Sequence, residues 1–136
     1  MNTKVLGDKG EDLACEYLVS KGYKILLRNY TIATGNQGIK FGEIDIIARK
    51  KFKFFSLLHK VIHFIEVKTI LESEGFFPED RVDLKKQKKL RQLAEIWMKK
   101  NFKKENPYQI DVIGITINQK TKKTEIRYFE NAVSGL

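Results

Sequence analysis

The chain has 136 residues, 42% of them hydrophobic, which is enough for one compact domain over 1–136. Its 26 Lys and Arg stand against 17 Asp and Glu, a formal net charge of +9, and such a surplus favours a polyanionic partner, nucleic acid first, because each neutralised phosphate releases condensed counterions. A single cysteine, Cys15, excludes an internal disulfide, and neither a signal peptide nor a bilayer-spanning stretch is read from the chain, so a cytoplasmic protein without a membrane partner is expected.

Gly10 to Lys21 reads as an amphipathic helix, with Leu13, Ala14, Tyr17 and Leu18 at helical spacing and Gly22 as its stop. Tyr23 to Tyr30 reads as a first strand. Thr34 to Gly38 is a turn by composition. Glu43 to Arg49 alternates as a second strand, and Val61 to Thr69 makes a third. Between them lies a connection whose Phe52–Leu58 stretch is too apolar for a solvated loop; it either extends the strands or packs on a partner. Asp83 can cap a long helix to about Phe102, with Leu90, Leu93, Ala94, Trp97 and Met98 on its buried face. Asn106-Pro107 breaks it. Tyr108 to Ile117 and Thr124 to Phe129 complete the order α-β-β-β-α-β-β.

The informative feature is acid where the pattern expects hydrophobes. Asp45 stands between isoleucines in Phe41-Gly42-Glu43-Ile44-Asp45-Ile46-Ile47, and Phe64-Ile65-Glu66-Val67-Lys68 sets an acid and a base in another apolar run. Burying an unpaired carboxylate costs on the order of several kcal/mol even after relaxation. A divalent cation would offset that cost for both acids at once. Side chains alternate along a strand, so Glu66 and Lys68 emerge on one face with Phe64, while Ile65 and Val67 occupy the other. If the second and third strands are neighbours, Asp45 can share the acidic face. Two carboxylates and a main-chain carbonyl then make a half-shell for Mg²⁺, with the Lys68 charge beside the attacking water or a phosphoryl oxygen. The competing reading is a cross-strand salt bridge among Asp45, Glu66 and Lys68.

Two more residues sit at the margins of apolar faces. Glu11 falls beside Cys15 and Leu18 on the first helix, and Gln87 heads the stripe of Leu90, Ala94 and Trp97 on the long one. Each also has a structural reading, Glu11 as an early-helix acid that suits the helix dipole and Gln87 as a satisfied boundary amide. His59 and His63 have no cysteine or acid at ligand spacing, which argues against zinc chemistry.

Taken together, Gly7-x-x-Gly10-Glu11-x-x-Ala14, Gly22-Tyr23-x-Ile25-Leu26-x-Arg28-Asn29-Tyr30, Gly42-Glu43-Ile44-Asp45-Ile46-Ile47, Phe64-Ile65-Glu66-Val67-Lys68-Thr69, Lys86-Gln87-x-x-Leu90 and Asp111-Val112-Ile113-Gly114-Ile115 resemble the YraN-like family. That is a bacterial family of uncharacterised proteins in the PD-(D/E)XK superfamily of restriction-endonuclease-like nucleases, similar in layout to archaeal Holliday junction resolvases. The resemblance implies an α/β fold with an αβββαβ core, a central mixed β-sheet flanked by helices, and the site on that sheet. It implies Asp45 and Glu66 as metal-binding acids, Lys68 as the catalytic lysine, Glu11 as the helical acid of resolvase-type members and Gln87 as the polar residue of the following helix. The chain departs from the family pattern at Ile70 and Gln109, where arginines are common, so two phosphate contacts are lost.

The function these features imply is a metal-dependent DNA endonuclease acting on branched or structured DNA. Mg²⁺ or Mn²⁺ would be held by Asp45, Glu66 and the Val67 carbonyl, while Lys85, Lys86, Lys88 and Lys89 clamp the backbone without reading bases. A homodimer follows by similarity to resolvases. The rival is a non-catalytic nucleic-acid-binding protein of the same fold, and a third reading is an interaction module docking through Phe52–Leu58.

Overall fold

The first helix begins at the N-terminus because Asn2 caps it: the Asn2 side chain accepts from Val5 N–H at 2.8 Å and satisfies one of the orphan donors of the first turn. α1 therefore spans Thr3–Ser20, starting earlier than the apolar spacing alone indicates. It ends at Gly22, whose φ of 90° is open to glycine without penalty and turns the chain into β1 (Tyr23–Tyr30). The computed structural model describes residues 2–34, 38–51, 60–72, 77–78 and 82–133. The Phe52–Leu58 patch and His59 lie outside them.

A short antiparallel pair, β2 (Ala33–Thr34) and β3 (Ile39–Lys40), flanks the segment that composition marks as a turn, of which 35–37 lie outside the described residues. The chain then runs through β4 (Ile44–Lys50), β5 (Ile62–Leu71), α2 (Leu84–Asn101), β6 (Tyr108–Ile117) and β7 (Thr124–Phe129). α2 opens on its cap, with the Asp83 carboxylate accepting from Lys86 N–H at 2.9 Å. The main sheet has five strands in the order β1-β4-β5-β6-β7. Three neighbouring pairs are antiparallel, and β5–β6 is parallel, the pair that α2 connects as a crossover.

Both faces of this mixed sheet are covered, which is why β5 and β6 read as nearly continuous apolar runs. On one face α1 buries Leu6, Ala14 and Leu18 against Ile46, Ala48, Ile65, Val67, Ile113 and Ile115. On the other α2 buries Leu90, Leu93, Ala94 and Met98 against Ile44, Ile47, Phe64, Ile110 and Val112. Among the described residues no helix is long and apolar enough to cross a membrane.

Two details place the site. The β4–β5 ladder pairs Ala48, Ile47 and Ile46 with His63, Phe64 and Ile65 and stops there, although β5 continues along β6 as far as Leu71. From Glu66 onward β5 is thus paired on one side only, and a fork opens between the two strands. Secondly, α1 comes very close to β5 at Gly10. A Cβ there would lie 1.8 Å from Thr69 Oγ1, so only glycine allows the approach that carries the next residue, Glu11, to the fork.

Candidate functional site

Asp45 stands at the fork. Its Oδ2 accepts from Val67 N–H at 2.7 Å, taking the place of a strand carbonyl where the ladder has ended. Burial, followed by the nearby Glu66 carboxylate, pushes the Asp45 carboxyl up to about 8, against the opposing pull of the Val67 N–H.

Glu66 is only 1% exposed. Its Oε1 meets Lys86 Nζ at 2.5 Å and Lys68 Nζ at 3.3 Å, while its Oε2, also buried, has no hydrogen-bond partner. Such an orphaned oxygen costs free energy unless a donor or cation reaches it. Burial lowers the Lys68 ammonium from the ordinary lysine value, and the neighbouring Lys86 lowers it further. For Lys86 burial pulls the same way, but the Glu66 carboxylate outweighs it and the ammonium is held above that value.

Two more acids close the ring. Carboxylate oxygens of Glu11, Glu43 and Asp45 all lie within 4.8 Å of one another. Asn29 holds the first two together, its Nδ2 donating to Glu11 Oε1 at 2.6 Å and to Glu43 Oε1 at 3.0 Å. It does so from a left-handed backbone, φ 54°, a region that asparagine enters more readily than most residues. Burial, ahead of the opposing Asn29 hydrogen bond, raises the Glu11 carboxyl. Glu43 and Asp45 open on a cleft of about 540 Å³ that Gly42, Asp83, Lys85, Lys86, Lys89 and Leu90 also line. A larger cavity, about 770 Å³, lies at the far end of α2 around Met98, Phe102, Pro107 and Tyr108 and contains none of these acids.

The residues expected from sequence divide accordingly. Glu11, Asp45, Glu66 and Lys68 are brought to one place. Val67 meets Asp45 there through its N–H. Gln87 is not brought in: its Nε2 donates to the Val82 carbonyl at 3.0 Å, and it borders a separate cavity with Val112 and Phe129. Successive helical residues point about 100° apart, so only one of Lys86 and Gln87 can face the acids, and it is Lys86. The four lysines expected to act as one clamp are therefore split, with Lys85, Lys88 and Lys89 exposed and Lys86 turned inward. Sequence reasoning passed over Glu43 and Asn29. Glu43 could have been found, since it stands two residues before Asp45 and extended chain puts such residues on one side. Asn29 stands in the Gly22–Tyr30 motif, but no spacing or burial pattern marks it as a site residue.

His63 also gains an acidic partner, which its sequence neighbours do not supply. Its Nδ1 lies 2.7 Å from Asp111 Oδ2, from the adjacent strand β6, and the pair is buried.

The model of the uncharacterised protein family UPF0102 matches residues 10–115. Relatives carrying that family name include a protein of Dictyoglomus turgidum, 33% identical over 97% of this chain and 99% of its own length. Another from Campylobacter lari is 38% identical over 93% of this chain and 92% of its own, and one from Clostridioides difficile is 38% identical over 88% and 92%. No solved structure matches the chain.

Proposed function

The chain belongs to the uncharacterised protein family UPF0102, and from its acidic fork we propose that it is a metal-dependent DNA endonuclease of the restriction-endonuclease-like, PD-(D/E)XK kind. The observation that carries this reading is the state of the buried Glu66 and the half-buried Asp45. Glu66 has an oxygen without a partner, and Asp45 resists ionisation beside it. Hard oxygen donors in that condition fit Mg²⁺ or Mn²⁺. Asp45 and Glu66 would hold the ion, with the Val67 carbonyl as a further oxygen and Glu11 and Glu43 reaching it directly or through water.

When bound, the ion supplies Lewis-acid polarisation of a phosphodiester and makes a nucleophilic water available near neutral pH. The protein's own residues do the rest. Lys68, fixed on β5 two residues beyond Glu66, places a positive charge where negative charge develops on the phosphoryl oxygens. Lys85 and Lys89 at the mouth of the cleft, with Lys88 on the same turn, hold the nucleic-acid backbone. Nothing among these groups reads base edges, so branched or otherwise structured DNA is the substrate class. A homodimer, as in junction resolvases, completes this reading.

The test is incubation of branched, duplex and single-stranded DNA with the protein and Mn²⁺, alongside Asp45→Asn and Glu66→Gln. Wild type should cleave, and each substitution should reduce cleavage by at least about 10²-fold, a typical loss when one electrostatic contact to the transition state is removed. DNA retarded on a gel yet left intact would establish the non-catalytic binder instead. Equal cleavage by all three proteins would exclude these acids.

A further inference from the structure

Lys86 stands against the acids to which the foregoing reading gives a metal. Its ammonium is 2.5 Å from Glu66 Oε1, and it lines the same cleft as Asp45 and Glu43. Both Glu66 and Asp45 act on it electrostatically, so it sits within the field of the two acids rather than on the flank of one. Its position in the helix is also unusual. It lies in the first turn of α2, which has no acid of its own, and a cation is disfavoured there by the helix dipole. The anion that faces Lys86 in that turn is Glu66.

We propose, resting on the metal-dependent reading, that the Lys86 ammonium is the resident counter-ion of the Asp45–Glu66 pair in the metal-free protein and competes with the divalent cation for that position. Lys68 shares Glu66 Oε1 from the same strand as the acid and is the more buried of the two lysines, its side chain 25% exposed against 37% for Lys86. Lys86 is different. A flexible four-carbon stem carries its charge from the half-exposed end of a helix, and rotation about that stem takes the ammonium out into the cleft. The acids are thus never left bare, since one cation replaces another. The released ammonium joins Lys85 and Lys89 at the cleft mouth, where a phosphate oxygen is the ligand that suits it.

Calorimetric titration of MnCl₂ into the full chain tests this, using wild type, Lys86→Met, Lys86→Arg, Lys89→Met and Asp45→Asn at one pH and ionic strength. Lys86→Met should bind Mn²⁺ roughly tenfold more tightly than wild type, within the usual range for a coupling between competing ligands. Lys86→Arg keeps a tethered cation and should stay within about twofold, as should Lys89→Met, which removes an exposed charge from the same cleft. Asp45→Asn should bind none. If Lys86→Met does not fold, Lys86→Gln serves, with the same direction expected. Equal or weaker binding by the Lys86 variant, with Asp45→Asn still silent, overturns the inference and leaves the metal site standing. Absence of binding by every protein, or undiminished binding by Asp45→Asn, sinks the site and the inference together.

Discussion

Two buried acids on the neighbouring strands β5 and β6 have opposite fates. Asp111 is fully buried and accepts four hydrogen bonds: from His63 Nδ1 at 2.7 Å, Gln109 Nε2 at 2.9 Å, Asn131 N–H at 2.7 Å and the Tyr128 hydroxyl. Burial alone would raise its carboxyl, but His63, Tyr128 and Asn131 outweigh that and hold it below the ordinary value. Glu66, equally deep, has one oxygen shared by two lysines and the other unpartnered, and its neighbour Asp45 is raised to about 8. The first acid is satisfied within the protein, whereas the second pair keeps one oxygen unpartnered and one carboxyl raised. Burial of charge therefore does not mark a site; burial with unfilled lone pairs does. The oxygens and ring nitrogen of His63, Asp111 and Glu130 lie close enough to suggest metal ligands, within 4.8 Å. The four donors on Asp111 leave an ion little to coordinate, and we read that cluster as a lock between β5, β6 and β7.

The strongest challenge to this contrast is Asp111→Ala. It strands four donors, His63 among them, and should lower the unfolding free energy by about 3–5 kcal/mol in urea titrations. Asp45→Asn should do no such damage to the metal-free protein. A loss comparable to that of Asp111→Ala would make Asp45 a structural acid too.

The two acids should also pull the pH profile of metal-free stability in opposite directions. The raised Asp45 contributes stability that is present below its unfolded value of about 3.9 and is lost as pH rises through about 8. The lowered Asp111 contributes stability present above that unfolded value, which is lost as pH falls through its folded one. Melting temperatures of wild type and Asp45→Asn should then coincide near pH 4, separate progressively as pH climbs from about 4 to about 8 and stay apart above that, the variant melting higher. Parallel curves would show that Asp45 ionises freely. Adding Mn²⁺ at about a hundred times its Kd should stabilise wild type by about 2.7 kcal/mol and Asp45→Asn by nothing measurable in thermal melts.

A smaller effect concerns how Glu11 reaches the fork. Gly10→Ala forces Thr69 or the helix to give way and should cost about 1–3 kcal/mol in chemical denaturation. It should weaken metal binding as well if Glu11 and Asn29 hold the rim of the site. Loss of stability with unchanged Mn²⁺ affinity would make the close helix–strand approach a matter of packing only.

The α/β class, both long helices, the five strands of the main sheet and the out-of-place acids Asp45 and Glu66 followed from residue spacing, because periodicity and the cost of buried charge act locally along the chain. β1, β6 and β7 matched the expected bounds residue for residue, while α1 began earlier because a cap, not an apolar residue, sets its start. The inward turn of Lys86, the outward turn of Gln87, the Asn29 bridge and the His63–Asp111 partnership were decided by tertiary structure. Each depends on which element lies against which, and on where the β4–β5 ladder stops. Separations of 48 residues between His63 and Asp111, or 18 between Glu11 and Asn29, carry no local signal. Side-chain spacing thus fixed which acids are costly to bury, and only the packing of strands and helices decided which of them received enough donors.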